Sequence, residues 1–247
     1  MATTTVARGP ASGGAGRAKR KAPFPVEFYR SALGKKYVMA LTGVMLMGFV
    51  LLHMIGNLKM YLGPEEFDHY AEFLRELLVP ILPRTVALWG MRLGLIAAFA
   101  LHIHSAYSLT RMNHADRTVK YQSPRDYIAV SFASRTMRWT GIIIGLYVLF
   151  HLADLTWGFA NPDFVRGAAY DNLVASFERW PVAAIYVLAN IALGIHLFHG
   201  GWSMFQSLGM NNPRYNGARR GFAAGFAIVV AGVNCAFPIA VMVGIVH

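Results

Sequence analysis

Six histidines lie inside long apolar stretches of the chain, where a titratable ring has no water to solvate it. They are His53, His102, His104, His151, His196 and His199. A polar group in hydrocarbon is costly, so each of these residues is a candidate for function. Imidazole is also an axial ligand of haem iron, and two histidines on opposite sides of the ring hold a b-type haem. The six residues fall on four stretches, and four ligands are what two b haems need.

The apolar stretch around His196 indicates how such a haem would fit. If the stretch is helical, His196 and Gly200 are one turn apart on nearly the same face, so a flat ligand held by His196 would meet no side chain at Gly200. His199 lies about 60° further around the helix and is a candidate second partner, for a haem propionate or for a neighbouring helix. His102 and His104 are about 200° apart, so only one of them faces the interior of a bundle.

Other uses of these histidines stay open at this point. Each one alone could be a packing residue bonded to a backbone carbonyl. A haem-free transporter or channel could use them as a proton relay, but such relays usually include carboxylates inside the spans, and Asp154 is the only acid near one. The single cysteine, Cys235, excludes disulfides, iron–sulfur clusters and covalent c-type haem within this chain. Any haem here is therefore bound without a covalent link.

The composition is that of an integral membrane protein, with 55% hydrophobic and 14% charged residues and a mean hydropathy of +0.41. A helix needs about 20 apolar residues to cross the hydrocarbon core. Five stretches are that long: 37–58, 86–110, 139–159, 181–205 and 222–246. They must be helical because lipid offers backbone groups no other partner. The sequence therefore predicts an all-α, polytopic membrane protein in which a bundle of five transmembrane helices holds two b haems.

The regions outside the five spans have simpler patterns. Residues 1–30 are basic and rich in Gly, Ala and Pro, which predicts a disordered arm ahead of a cytochrome domain at 31–247. The first apolar stretch begins only near Tyr37, too late for a cleaved signal peptide, so we expect it to stay in the membrane. Residues 63–83 predict a short amphipathic helix on the outer surface. No phosphate-binding loop, nucleophile elbow or internal repeat is recognised.

Charge distribution predicts the orientation of the bundle. Seventeen of the 23 basic residues lie in the N-terminal arm and in the loops 111–138 and 207–221, while five lie in the opposite segments and Arg92 lies within a span. The positive-inside rule then predicts a cytoplasmic N-terminus and an outer C-terminus in the plasma membrane. The net charge of +11 is explained by these flanking residues, and no stripe of basic and aromatic residues indicates nucleic acid.

Four motifs together identify a resemblance. They are GKKYVMALTGVMLMGFVLLHMIGN, LHIHSAYSLTRMNHADRTVKY, TGIIIGLYVLFHLADLTWG and HLFHGGWSMFQSLGMNNP. The chain resembles the membrane cytochrome b subunit of succinate dehydrogenase and fumarate reductase, in the single-chain, five-helix, dihaem b558-type form of actinobacteria, from about Ser31 to the C-terminus. The second motif resembles the family pattern in which the ligand precedes I-x-A-A, and this favours His102 over His104 as the ligand.

The resemblance implies a ligand set, partners and a function. The haem iron ligands would be His53, His102, His151 and His196, with His102 and His196 on the haem nearer the cytoplasm and His53 and His151 on the outer one. The chain would anchor a flavoprotein and an iron–sulfur subunit, which carry FAD and the clusters, and would pass electrons to menaquinone in respiratory complex II. Succinate oxidation would occur in the flavoprotein, and a higher oligomer of the complex is compatible with this arrangement. A cytochrome b of a formate dehydrogenase or hydrogenase is the alternative that keeps the haems.

The quinone site is predicted at the outer ends of the first four helices, beyond the outer haem. A quinone needs a titratable group at the hydrocarbon edge to supply protons. The candidates, with two aromatic residues that could stack on the ring, are Asp154, Glu65, Asp68, His69, Glu72, Trp157 and Tyr61. Asp154 is the first choice because it lies one turn after His151 on nearly the same helical face.

Overall fold

A computed structural model of the chain describes residues 23–115, 128–210 and 212–247, except for the side chains of 128–135. Within these ranges the ordered elements are helical and none is a strand. The eight α-helices of the described ranges are α1 (Phe24–Arg30), α2 (Ala32–Asn57), α3 (Pro64–Arg75), α4 (Val86–Ala115), α5 (Ile128–Leu155), α6 (Ala169–Glu178), α7 (Trp180–Ser207) and α8 (Asn216–Met242). Residues 1–22 of the predicted disordered arm lie outside the described residues.

The last seven residues of the predicted arm form helix α1, which differs from the sequence prediction. A proline in its first turn starts this helix, and Ser31 caps the start of α2 by accepting from the Gly34 amide at 2.9 Å. The buried ammonium group of Lys35 donates to the carbonyls of Tyr29 and Arg30 at 3.1 and 3.0 Å. A lysine that binds the last carbonyls of a helix stabilises its C-terminus, so α1 is fixed by α2.

Five helices of the described ranges are long and apolar enough to cross a membrane, which confirms the predicted five-span, all-α fold. Each of them also exposes a large aliphatic side chain by more than 60%. These residues are Leu52, Ile96, Leu146, Leu188 and Ile228. Such exposure fits a surface in contact with lipid. Helices α4 and α5 extend into the segment 111–138 that the sequence assigned to a loop, because amphipathic and polar turns continue a helix past the hydrocarbon.

The long helices pack as two pairs with a fifth helix added. Helix α2 packs along α4 and α5 packs along α7, while α8 lies along the other side of α7. The α7–α8 contact uses small residues: a Cβ added at Gly194 would lie 2.8 Å from the Ala231 Cβ. Small residues let two membrane helices approach closely, so α7 and α8 form the tightest contact of the bundle.

One end of the bundle is covered by the two shorter helices α3 and α6, and we call it the α3/α6 end. Its core contains Met60, Phe67, Tyr170 and Phe177, all 9% exposed or less. Helix α3 corresponds to the amphipathic helix predicted from the sequence. Helix α6 was not predicted, because its short run of apolar residues shows its period only after the buried positions are known.

Candidate functional site

The four histidines predicted as ligands meet as two pairs across the gap between the helix pairs. The ring centres of His53 and His151 are 5.9 Å apart with the planes at 88°, and those of His102 and His196 are 6.4 Å apart at 63°. A metal bound by imidazole lies about 2 Å from each nitrogen, which puts the centres of two ligand rings roughly 6 Å apart. Both pairs therefore have the spacing that one metal atom between two rings requires.

Hydrogen bonds fix which nitrogen of His102 is free. Its Nδ1 lies 3.1 Å from the Met39 carbonyl and 3.2 Å from the Thr42 hydroxyl. The carbonyl can only accept, and the Thr42 hydroxyl already donates to the Val38 carbonyl at 2.7 Å. Nδ1 must therefore carry the proton, and the Nε2 lone pair of His102 is left for a metal.

His196 is held in the same way by the other helix pair. Its Nδ1 lies 3.2 Å from the Thr140 hydroxyl, which donates to the Thr136 carbonyl at 2.7 Å. The hydroxyl oxygen thus accepts from Nδ1, and the Nε2 lone pair of His196 is free as well. A glycine follows each threonine, and Cβ atoms added at Gly43 and Gly141 would lie 3.4 and 3.7 Å from the Cε1 atoms of His102 and His196. The two Thr-Gly turns therefore leave just enough room for the two rings.

These contacts reveal an internal repeat that the sequence analysis missed. Helices α2 and α5 each contain a Thr-Gly pair followed by a histidine ten residues after the glycine. In α2 the pair is Thr42-Gly43 and the histidine is His53, and in α5 the pair is Thr140-Gly141 and the histidine is His151. In each helix pair, the first helix supplies this Thr-Gly turn and one histidine, and the second helix supplies the histidine beside the turn. The α2/α4 and α5/α7 helix pairs therefore carry histidines at equivalent positions: His53 corresponds to His151, and His102 corresponds to His196.

The second nitrogen of His151 contacts a buried polar cluster. Its Nδ1 lies 3.3 Å from the Tyr186 hydroxyl, which donates to the Asp154 carboxylate at 2.9 Å. The same carboxylate, which is 0% exposed, accepts from Ser176 and from Arg179 Nη2, the latter at 2.5 Å. His53 stacks on Phe49 with ring centres 5.4 Å apart. Three of the four paired histidines therefore have a described partner on Nδ1.

Asp154, the first choice for a quinone-site acid, lies inside this cluster. Its carboxylate accepts three hydrogen bonds, and no part of the residue is exposed at the membrane edge. Sequence spacing placed it correctly beside His151. The spacing did not predict the ion pair of Asp154 with Arg179, because Arg179 is 25 residues away in the sequence and reaches Asp154 only where α6 reverses the chain direction.

The other quinone-site candidates lie at the α3/α6 end. Asp68 accepts from the Tyr170 amide at 2.9 Å, and Glu72 forms ion pairs with Arg75 and Arg84. The remaining four side chains are exposed: Glu65, His69, Tyr61 and Trp157. These positions agree with the predicted end of the bundle, and their role in binding a quinone stays a prediction.

The described contacts of three further residues of the predicted haem environment are as follows, and their roles stay predictions. His104 is exposed, and its Nδ1 contacts the Tyr29 hydroxyl of α1 at 2.5 Å. The His199 ring contacts Phe198, with centres 5.1 Å apart. A Cβ added at Gly200 would lie 3.9 Å from the Met137 Cε, so this glycine faces the α5 helix. The glycines beside the ligand rings are Gly43 and Gly141.

In the described part of the chain, no group of three or more His, Cys, Asp or Glu side chains is placed to hold a bare metal ion. The four histidines instead form two pairs, and in the described part of the chain neither pair has a third His, Cys, Asp or Glu side chain placed to bind the same metal ion. Two opposed imidazoles are the axial set of a b-type haem, in which the macrocycle supplies the other four ligands. The residues present therefore fit two haems.

Comparison with known proteins finds one family over part of the chain. The family model described as "Succinate dehydrogenase/Fumarate reductase transmembrane subunit" matches residues 120–235, which include one histidine of each pair, His151 and His196. No curated protein and no solved structure matches the chain. The resemblance expected from the sequence motifs is therefore confirmed over residues 120–235, where the chain is similar to succinate dehydrogenase/fumarate reductase transmembrane subunits.

Proposed function

We propose that this membrane subunit is a dihaem cytochrome b that anchors succinate dehydrogenase and passes electrons between its iron–sulfur subunit and menaquinone. The observation that carries the proposal is the arrangement of four histidines on four helices as two opposed pairs. The family match supports succinate dehydrogenase or fumarate reductase as the parent enzyme, and it disfavours a formate dehydrogenase or hydrogenase.

The chain's own side chains prepare the two sites. His102 and His196 would hold one haem and His53 and His151 the other, each through Nε2. The Thr42 hydroxyl accepts from Nδ1 of His102, and the Thr140 hydroxyl accepts from Nδ1 of His196. Both contacts keep the proton on Nδ1, which leaves Nε2 free to bind a metal. When bound, the two b haems would supply one-electron carriers at two depths of the membrane.

The helix ends would serve the two reaction partners. In the sequence, most of the basic residues fall in the N-terminal arm and in the segments 111–138 and 207–221 that flank the spans, and they would face the iron–sulfur and flavoprotein subunits on the cytoplasmic side. At the α3/α6 end, Glu65 and His69 keep exposed titratable groups, while Tyr61 and Trp157 expose aromatic rings. Quinone reduction near these four residues is favoured over a direct role of Asp154, whose carboxylate is already bound.

Purification of the tagged chain from its native membrane tests the function. We expect a flavin-containing subunit and an iron–sulfur subunit to co-purify with it, and the dithionite-reduced sample to show a b-type α band equivalent to about two haems per chain. A sample with no Soret or α band would contradict the haem assignment. Haem without a flavoprotein partner would contradict the assignment to succinate dehydrogenase.

The orientation is tested by reporters. We expect the N-terminus to lie in the cytoplasm and His247 to lie outside, because the reverse orientation would put seventeen basic residues in the outer segments. A reporter that works only in the cytoplasm, fused after His247, should be inactive, and one that works only outside should be active. The opposite pair of results would reverse the proposed orientation.

A further inference from the structure

We propose that Tyr186 and Asp154 are positioning residues for His151, and that they set the electronic properties of the haem held by the His53–His151 pair. This inference rests on the proposed dihaem function. The Tyr186 hydroxyl lies between the His151 Nδ1, at 3.3 Å, and the Asp154 carboxylate, at 2.9 Å. Tyr186 thereby connects a metal ligand to a buried carboxylate on the turn that follows it.

The direction of each hydrogen bond follows from the donors present. Tyrosine has one hydroxyl proton, and the Asp154 carboxylate paired with Arg179 can only accept. The Tyr186 proton therefore points to Asp154, and the Tyr186 oxygen accepts from the His151 Nδ1–H. This order leaves the Nε2 lone pair of His151, whose ring centre lies 5.9 Å from that of His53, free for a metal.

The network is held rigidly at its far end. The Arg179 guanidinium donates to Asp154 at 2.5 Å, to the Ala160 carbonyl at 2.6 Å and to the Ala175 carbonyl at 3.3 Å. The Ser176 hydroxyl also donates to Asp154. A carboxylate with this many fixed donors cannot swing away from Tyr186, so the tyrosine hydroxyl has a single position.

Stability alone does not account for this cluster. Burying an ion pair costs desolvation that the attraction of the two charges often only balances, and apolar side chains of similar volume are frequently as stable or more so. Among the four proposed ligands, the cluster contacts only His151. The contact is at Nδ1, and the hydrogen bond made by this nitrogen affects how strongly Nε2 donates electrons to a metal. A carboxylate behind a metal-bound histidine orients the ring and raises its electron donation.

The two haem sites therefore differ in a definite way. The Nδ1 partners of His102 and His196 are neutral hydroxyl and carbonyl groups, whereas that of His151 is a hydroxyl bound to a carboxylate. Greater electron donation stabilises the ferric state, so the network lowers the midpoint potential of the His53–His151 haem. Loss of the Tyr186 hydroxyl should raise that potential and leave the other haem unchanged.

The test compares two tyrosine variants in the complete complex. Tyr186→Phe removes the hydroxyl that His151 contacts. Tyr147→Phe is the matched control, because the Tyr147 ring also packs on His151, with centres 5.8 Å apart, while no hydrogen bond of the described residues joins its hydroxyl to the His151 ring. Redox titration of the α band gives the midpoint potential of each haem. The g-anisotropy of the ferric low-spin signal in electron paramagnetic resonance spectra reports the angle between the two ligand ring planes.

We expect Tyr186→Phe to keep both haems. At a fixed solution potential, the oxidised-to-reduced ratio of the His53–His151 haem should fall on the order of tenfold, which corresponds to a rise of about 59 mV in its midpoint potential for a one-electron couple. Its ferric signal should change as well, and Tyr147→Phe should leave both haems close to wild type. An unchanged potential and signal in Tyr186→Phe, or an equal shift in Tyr147→Phe, would overturn the inference.

A second variant covers the case in which Tyr186→Phe does not assemble. Asp154→Asn keeps the size and one acceptor of the side chain but removes its charge, so the same haem should shift in the same direction. An Asp154→Asn complex with two haems at wild-type potentials would refute the role of the carboxylate. A wild-type complex without haem would instead refute the proposed function, so the two failures are distinguishable.

Discussion

Replacing His102 by alanine is expected to remove one haem from the purified complex and to leave the other in place. His102 faces His196 at 6.4 Å, and its Nδ1 is held by Met39 and Thr42. Alanine would remove the proposed axial bond to iron and open a slot in the apolar interior. The measurement is the haem-to-protein ratio of the reduced complex, which should fall from about two to about one.

The matched control for this variant is His104→Ala. His104 lies on the same helix, two residues away, but it contacts Tyr29 of α1 and faces no other histidine in the described part of the chain. This variant should keep both haems. If His104→Ala loses a haem while His102→Ala keeps two, the assignment of the second ligand is wrong.

The pairing itself predicts how double variants behave. His102→Ala with His196→Ala should lose the same single haem as either variant alone, because both side chains are proposed to hold one iron. His53→Ala with His102→Ala should lose both haems, because these residues belong to different pairs. Two haems lost in the first double variant, or one lost in the second, would contradict the pairing.

The ligand helices were predictable from the sequence because each signal was local. Every span is a continuous apolar stretch, and spacing alone separates His102 from His104 on opposite sides of a helix. The pairing of ligands was expected only from the resemblance, since depth along the helices did not settle it. The ring distances now support the same pairs.

The supporting groups around the ligands were not predictable in this way. Thr42 and Thr140 look like ordinary apolar-span residues until a neighbouring helix brings a histidine to each. Their equal spacing to His53 and His151 was present in the sequence, and a search for that repeat could have found them. Arg179 and Tyr186 reach Asp154 only through α6, whose short pattern resembles a loop.

The second large effect is expected at the ion pair between Asp154 and Arg179. Replacing Arg179 by methionine keeps most of the side-chain volume but leaves a carboxylate that is 0% exposed without its counter-charge. Breaking a buried ion pair on one side typically costs about 3–5 kcal/mol. The junction between α6 and α7 also loses the hydrogen bonds to Ala160 and Ala175. Thermal unfolding of the purified complex should therefore begin on the order of 10 °C lower.

Arg84→Met is the matched control, because it makes the same change in an ion pair with Glu72 and Glu76 whose side chains are 57%, 38% and 56% exposed. Exposed pairs contribute about 0–1 kcal/mol, so this variant should unfold close to the wild-type temperature. Combining Arg179→Met with Asp154→Asn removes the unpaired charge, and the double variant should recover part of the lost stability. Equal losses in Arg179→Met and Arg84→Met would show that Asp154 is not held as a buried charge. Recovery in the double variant would instead show that the stability cost of Arg179→Met comes from an unpaired carboxylate and not from the loss of packing at the α6–α7 junction.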